Sequence, residues 1–296
     1  MGLPCFAGFP FRNVKIQWAL PKLGSALFSW REKSMIEGKN IVLTGAGSGI
    51  GLRTLRLLKE GKGNRILAAA LDVSALEGMG ENVIPMVCDI SSAEGVEALF
   101  AEAERLFDKI DIFYANAGFA YIEDYNYKDW ERVKKMFDTN TLSPMYSYAR
   151  YVEHLRGREG HMAMTVSAIG RMAMPSYTVY TASKYALAGF EEAIRLELPK
   201  NLKLTTLYPV ATNTNFFKAG GGDVKGFKPP FPVQEPEVVA KKIVKGIEKG
   251  KKRVSPCWLF GLSRVLMAHC PPIRTAYWKI ETKKWEQNRA LMAAGR

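Results

Sequence analysis

One short stretch limits what this chain can fold into: Thr44-Gly45-Ala46-Gly47-Ser48-Gly49-Ile50-Gly51. It follows the apolar run Asn40-Ile41-Val42-Leu43, which reads as a buried parallel strand. After it comes Leu52-Arg53-Thr54-Leu55-Arg56-Leu57-Leu58-Lys59, whose apolar residues share one helical face. Glycine at these places lets the backbone turn tightly and approach an anion such as a pyrophosphate, which the free amides and dipole of the helix N-terminus favour. Glycine-rich turns also serve as ordinary strand-to-helix connections, so the rest of the chain decides what this one means.

Downstream, strand and helix patterns alternate. Strands are predicted over 40–44, 64–70, 82–88, 110–115, 161–167 and 203–208, and helices over 50–60, 93–107, 128–155, 176–199 and 236–249. Alternation without an internal repeat predicts an α/β fold, a doubly wound, Rossmann-type parallel sheet with helices on both faces. No linker divides it. Residues 39–250 therefore read as a single dinucleotide-binding catalytic domain, flanked by an apolar, basic arm (1–38) and a basic, apolar C-terminal extension (251–296).

The net charge of +13 belongs to those flanks, with +4 over residues 1–40, +11 over 241–296 and −2 between them. A nucleic-acid binder more often carries its basic face on the folded core, so no nucleic-acid partner is expected. Basic ends interleaved with Trp, Phe and Leu suit peripheral contact with an anionic membrane through residues 1–38 and 251–285. Neither end holds the ~20 apolar residues that span a bilayer. Pro21 and Lys22 interrupt Ile16–Trp30, and the block Cys257–Ala268 is short and followed by Pro271-Pro272. The alternative is that these segments pack on the domain, at the substrate mouth or on a second subunit. No signal peptide is evident, and Phe6 stands where a myristoylation motif after Met1-Gly2 has Ser or Thr. Four scattered cysteines (Cys5, Cys88, Cys257, Cys270) predict reduced thiols, an intracellular, cytoplasmic location with or without membrane contact, and no metal site.

Two stretches carry chemistry. His161-Met162-Ala163-Met164-Thr165-Val166-Ser167 is a strand ending in Ser, and Tyr180-Thr181-Ala182-Ser183-Lys184 opens a helix, with Tyr180 and Lys184 on one face. Reducing a carbonyl needs a proton donor beside the hydride acceptor. A phenol's ordinary pKa of about 10 is too high for ready exchange, and a neighbouring cation lowers it. Ser167 can hydrogen-bond the substrate oxygen and steady its developing charge. Tyr177 lacks the lysine partner because position 181 is Thr, and Ser183 has no His or acid spaced for a hydrolytic triad. Tyr-x-x-x-Lys alone occurs by chance on many helices. Here it has company in one order: Thr44-Gly45, Gly49-Ile50-Gly51, Cys88-Asp89-Ile90, Asn116-Ala117-Gly118, Asn140, and Ser167 thirteen residues before Tyr180.

On these motifs, residues 38–250 resemble the short-chain dehydrogenase/reductase family. The resemblance implies an NAD(P)-dependent oxidoreductase interconverting an alcohol and a carbonyl. Tyr180 would be the general acid/base, Lys184 its partner and a ligand of the nicotinamide ribose, and Ser167 the oxyanion stabiliser. Asn140, in a kinked helix, would hold a proton-relay water. Cofactor contacts are implied for Gly45, Ser48, Gly49, Ile50, Gly51, Asp89, Ile90, Asn116, Ala117, Gly118, Tyr180, Lys184, Pro209, Val210 and Thr212. Val210 replaces the family's usual Gly, and Asp89 has a second reading as the start of the next helix.

The choice between NAD and NADP stays open. Counting from Gly51 puts the ribose-reading position on Ala70, Asp72 comes two residues later, and no basic residue there welcomes a 2′-phosphate. Residues 213–235, rich in Gly, Pro and Phe, fall where the family carries its substrate lid; the plainer reading is an irregular connector. Several Phe in a lid suit a small lipophilic substrate of steroid, retinoid or long-chain type. Family members often form homodimers through the helices carrying Asn140 and Tyr180. Two rival functions remain, a reductase of a polar or carrier-bound acyl substrate and a catalytically silent NAD(P)-binding sensor or scaffold.

Overall fold

Alternate residues of the first two strands point to opposite sides, and each side meets its own layer of helices. In the computed structural model, which describes residues 36–294, β1 (Asn40–Thr44), α1 (Gly49–Leu58), β2 (Arg65–Ala70), β3 (Val83–Val87), α2 (Ala93–Leu106) and β4 (Ile112–Ala115) come first. α3 (Trp130–Phe137), α4 (Ser143–Leu155), β5 (Gly160–Thr165), α5 (Thr178–Ile194) and β6 (Leu202–Leu207) follow. The chain closes with β7 (Ala211–Thr212), β8 (Val233–Gln234), α6 (Pro236–Glu248), β9 (Arg253–Val254), α7 (Trp258–His269) and α8 (Pro271–Ala294). Ile41, Leu43, Ile66 and Ala68 pack with Leu55 of α1 and Val239, Ile243 and Ile247 of α6. Val42, Leu67 and Ala69 pack on the other face with Leu99 and Phe100 of α2, Tyr148 and Tyr151 of α4, and Leu187 of α5. Burial on both faces is what a parallel strand between two helical layers requires.

Seven strands lie parallel in the order β3-β2-β1-β4-β5-β6-β9. The six predicted strands are present, so the doubly wound expectation holds. β1 neighbours both β2 and β4, and the chain's winding reverses there. That reversal opens a crevice at the C-terminal ends of β1 and β4, the place where open α/β sheets bind ligands.

Two features were not predicted, and a third, the helix kink at Asn140, was expected. The seventh strand, Arg253–Val254, lies past residue 250 inside a basic run that reads as a solvated helix exit. It is held because Arg253 Nε donates to the buried carboxylate of Glu191 at 2.8 Å. The expected helix 128–155 is divided into α3 and α4 by one widened turn, Asp138–Leu142. Pro271-Pro272 does follow the end of α7, but the same pair opens α8, since the first helical turn tolerates proline.

α7 buries Phe260 and Met267 and exposes Trp258, Leu262, Val265 and Leu266. Among the described residues no helix is long and apolar enough to cross a membrane. The arm proposed for membrane contact lies, over residues 1–35, outside the described residues.

Candidate active site

The glycine loop fits between β1 and α1 because no side chain fits there. A Cβ on Gly51 would stand 2.0 Å from the Gly45 carbonyl oxygen and 2.6 Å from Asn116 Nδ2; one on Gly45, whose φ is +66°, would stand 2.8 Å from Ala117 Cα. Ser48 begins α1 in an extended conformation, and its hydroxyl caps none of the first amides. A tight backbone cradle ending in a helix N-terminus without a side-chain cap has the chemistry of a pyrophosphate site.

Beyond β2 the chain returns over this cradle. A Cβ on Gly47 would lie 2.2 Å from the Asp72 carbonyl oxygen and 3.1 Å from the Ala70 side chain. Ala70 is buried under the loop, so the residue at its rim is Asp72, two positions beyond the one reached by counting. Asp72 Oδ1 accepts from the Ser74 amide at 2.9 Å, which holds its carboxyl below the usual range. Asp89, at the end of β3, is likewise exposed, accepts from the Ser91 amide at 3.0 Å and is held low by that bonding. Ile90 is buried beside it. Ser92 caps α2, which frees Asp89 from that duty.

Asn116 binds the cradle to the neighbouring strands. Its amide donates to Thr44 Oγ1 at 3.0 Å, and its Nδ2 donates to the carbonyls of Thr44 and Gly45 at 3.2 and 3.3 Å. Its Oδ1 accepts from the hydroxyls of Tyr114 and Thr165, both at 3.2 Å. Ala117 N also donates to Thr44 Oγ1, at 3.1 Å. Thr165, at the end of β5, accepts through its carbonyl from Lys184 Nζ at 3.0 Å. One hydrogen-bonded path therefore runs from the glycine loop to Lys184.

Ser167, Tyr180, Lys184 and Asn140 meet at the far side of this crevice. Ser167 follows β5 with φ +111°, strained for a residue with a side chain, and its hydroxyl accepts from Ile169 N at 3.3 Å. Tyr180 and Lys184 lie one turn apart on α5, both buried, with Lys184 Nζ 5.9 Å from the Tyr180 ring centre. Asn140 sits in the widened turn between α3 and α4. Its Oδ1 accepts from Phe119 N at 3.1 Å, and its Nδ2 donates to Phe119 O at 2.8 Å and to Ser183 Oγ at 3.3 Å. A side chain on Gly118 would meet Asn140 Oδ1 at 2.9 Å and Lys184 Nζ at 3.5 Å, so this glycine leaves the two groups room to share one spot.

The electrostatics differ from the lowered phenol expected from a neighbouring cation. Burial pushes Tyr180 up to about 12, against a hydrogen bond from Ser167 that pulls it down. Burial also brings Lys184 down to about 7. Aromatic rings contribute to the burial of the phenol. The Phe216 ring stands 5.6 Å from that of Tyr180, Phe217 packs on Phe216 and Phe227 on Phe217, all from the predicted lid. Thr214 lies over Gly49, so the same segment also covers the glycine loop. Ala168 N donates to Pro209 O at 2.8 Å, placing Pro209 and Val210 beside Ser167, and Thr212 Oγ1 donates to Val210 O at 2.9 Å.

Sequence reasoning named the substrate mouth only as an alternative place for the C-terminal extension and did not predict the helix α8 that packs there. Tyr277, Trp285 and Met292 of α8 join Tyr177, Tyr180, Phe216 and Phe227 in one cluster. Their spacing, at seven and eight residues, was the available signal, but the Lys and Glu between them hid it. Thr165, which joins Lys184 to Asn116, was likewise unremarked, and Thr44 entered only as the first residue of the glycine motif.

The comparisons with known proteins agree with this geometry. The family model described as short chain dehydrogenase matches residues 39–223. A protein named as the oxidoreductase SadH of Mycobacterium tuberculosis is 30% identical over 240 residues, covering 75% of this chain and 87% of that protein. The 17-beta-hydroxysteroid dehydrogenase 13 of Mus musculus is 27% identical over 235 residues, covering 76% and 75%. A solved short-chain dehydrogenase/reductase from Burkholderia phymatum, in complex with NAD, aligns with a TM-score of 0.69 at 20% identity, over 81% of this chain and 96% of that one. The chain belongs to the short-chain dehydrogenase/reductase family, the NAD(P)-dependent oxidoreductases.

Proposed function

We propose that this protein interconverts an alcohol and a carbonyl on a lipophilic substrate, with Tyr180 as the proton-transferring residue. The observation that carries the reading is the meeting of Ser167, Tyr180, Lys184 and Asn140 in one buried spot beneath Phe216. The glycine cradle, Asn116 and the rim at Asp72 suit a dinucleotide, whose nicotinamide supplies or takes up the hydride. Tyr180 gives its proton to the substrate oxygen during reduction and takes it back during oxidation. Ser167 donates a hydrogen bond to that oxygen and steadies its charge. Lys184 biases the phenol toward phenolate and, with Asn140 and a bound water, returns the proton to solvent.

Asp72 favours NAD in this reading, because an ionised carboxylate at the rim repels a 2′-phosphate. The lipophilic substrate is supported by the aromatic enclosure and by the relative named as a hydroxysteroid dehydrogenase. The exposed stripe Trp258, Leu262, Val265 and Leu266 on α7, beside the basic C-terminal third, suits peripheral contact with an anionic membrane. Exposed Leu142, Tyr146 and Tyr185 on the helices bearing Asn140 and Tyr180 suit a homodimer interface.

The test is the nicotinamide absorbance change with lipophilic alcohols and ketones, each run with NAD and with NADP. Turnover of an apolar compound is the expected result. Turnover of acyl thioesters alone would replace this reading with the carrier-bound one, and tight cofactor binding without any turnover would favour a sensor.

A further inference from the structure

α8 turns a stripe of Tyr277, Glu281, Trp285, Asn288 and Met292 toward the substrate region, at helical spacings of three and four. The stripe is fixed at several points. Tyr277 OH donates to Phe231 O at 2.7 Å, Trp285 Nε1 donates to Asp124 Oδ1 at 2.7 Å, and Asn288 exchanges bonds with the backbone of Lys228, both at 2.9 Å. Glu281 lies between Tyr277 and Trp285 and is held at 4% exposure, a carboxylate built into an aromatic wall, with Lys284 Nζ 2.6 Å from its Oε1. On α5, Tyr177 and Thr181 occupy successive turns, and the hydroxyls of both are buried without a hydrogen-bonding partner among the described residues. Native folds seldom leave such groups unpaired without a use for them. The Tyr177 ring lies 6.3 Å from that of Tyr180. Burial first, then the charges of Tyr180 and Glu281, keep the Tyr177 phenol protonated and so a donor.

We propose that Tyr177, Thr181 and Glu281 form a polar subsite for a hydroxyl group that the lipophilic substrate carries within a few bonds of its reacting carbon. A hydroxyl donates and accepts, as this set requires: Glu281 accepts, Tyr177 donates and Thr181 does either. An ammonium gains less, because Lys284 already neutralises Glu281, and a carboxylate would be desolvated here with its nearby cation already paired. The inference rests on the reading of Tyr180 as the reacting centre.

The test compares a long-chain methyl ketone with the same ketone bearing a hydroxyl on the carbon beside the carbonyl. kcat/KM is measured for both with wild type, Tyr177→Phe and Glu281→Gln. The wild type is expected to prefer the hydroxyketone roughly tenfold or more, and Tyr177→Phe to bring the ratio within about twofold of unity. Glu281→Gln lowers the ratio in the same direction. A wild-type ratio near unity, or one unmoved by both substitutions, overturns the proposal; a purely structural role lowers both rates together and leaves the ratio where it was. Calorimetric binding of the matched diol and mono-alcohol to Tyr180→Phe reads the subsite without turnover. Preference for the diol supports the subsite, and equal binding overturns it. Normal turnover by Tyr180→Phe would instead overturn the catalytic reading, so the two failures are distinguishable.

Discussion

Trp285→Ala tests whether α8 is a working part of the site. The indole is 8% exposed, lies in the cluster that contains Tyr177 and Tyr180, and donates to Asp124 at 2.7 Å. A buried Trp cut to Ala typically costs about 3–5 kcal/mol, through lost transfer energy and the cavity left behind. At 1.4 kcal/mol per tenfold, that shifts the docking equilibrium of α8 by about two to three and a half orders of magnitude. The glycine loop belongs to a different cluster, formed by β1, β2, α1 and α6. The two functions should therefore separate. In Trp285→Ala, cofactor affinity measured by nicotinamide fluorescence stays within about twofold, because Trp285 itself touches no residue of the loop and, among the described residues, only Thr214 links the loop to the roof. KM for a lipophilic substrate rises at least tenfold, and limited proteolysis cuts within residues 271–294 much faster than in wild type. Trp285→Phe keeps most of the buried area and loses only the hydrogen bond, so it should lie between the two. Unchanged KM and unchanged proteolysis in Trp285→Ala would refute the account of α8 as a roof.

Three other outcomes are expected. Asp72→Ala should raise the ratio of NADP to NAD use by roughly tenfold, since it removes a like charge from the ribose rim; a ratio unchanged in steady-state kinetics would take cofactor choice away from Asp72. Gly51→Ala should abolish cofactor binding in titration while circular dichroism stays native, because its Cβ would meet backbone at 2.0 Å and the loop must move. Retained affinity would refute the cradle. His161, buried in β5 with Nε2 2.8 Å from Thr205 Oγ1, is brought from its ordinary 6.5 to about 4 by burial and then by Lys203. Its folded state stays neutral where the unfolded chain takes up a proton, so stability is full above pH 6.5 and falls as pH drops toward 4. The loss is of order 3 kcal/mol. Urea midpoints measured across that window should fall less in His161→Gln, and an equal fall in both proteins would remove His161 as the cause.

The sheet was legible because buried strands and amphipathic helices write different periods into a sequence, and six strands of this chain are long enough to show theirs. β9 is two residues long, too short for any period, and its pairing depends on a contact with Glu191, sixty-two residues away in sequence. α8 was hidden by Pro271-Pro272, which looks like a stop and is also a good start, and by the many charged residues between Tyr277 and Met292. In the site, the i, i+4 spacing put Tyr180 and Lys184 on one helical face, whereas the place of Ser167 beside them was implied by the family resemblance. The rise of Tyr180 to about 12 was not legible, because it arises from burial beneath residues such as Phe216, and that packing is tertiary. Counting from Gly51 reached Ala70, and the doubling back of the chain that brings Asp72 over Gly47 has no signature in residue spacing. Tyr177 looked idle from sequence, since its lack of a lysine partner said only that it is not the acid/base.

The central claim is that Tyr180 moves the proton. The most direct measurement is single-turnover hydride transfer in wild type and Tyr180→Phe, using whichever lipophilic ketone the wild type reduces fastest, with cofactor affinity measured in both. The account predicts a rate lower by about two to four orders of magnitude and a cofactor affinity within about twofold of wild type. A folded Tyr180→Phe protein that transfers hydride at a near-normal rate would contradict it and send the search for the acid to another group.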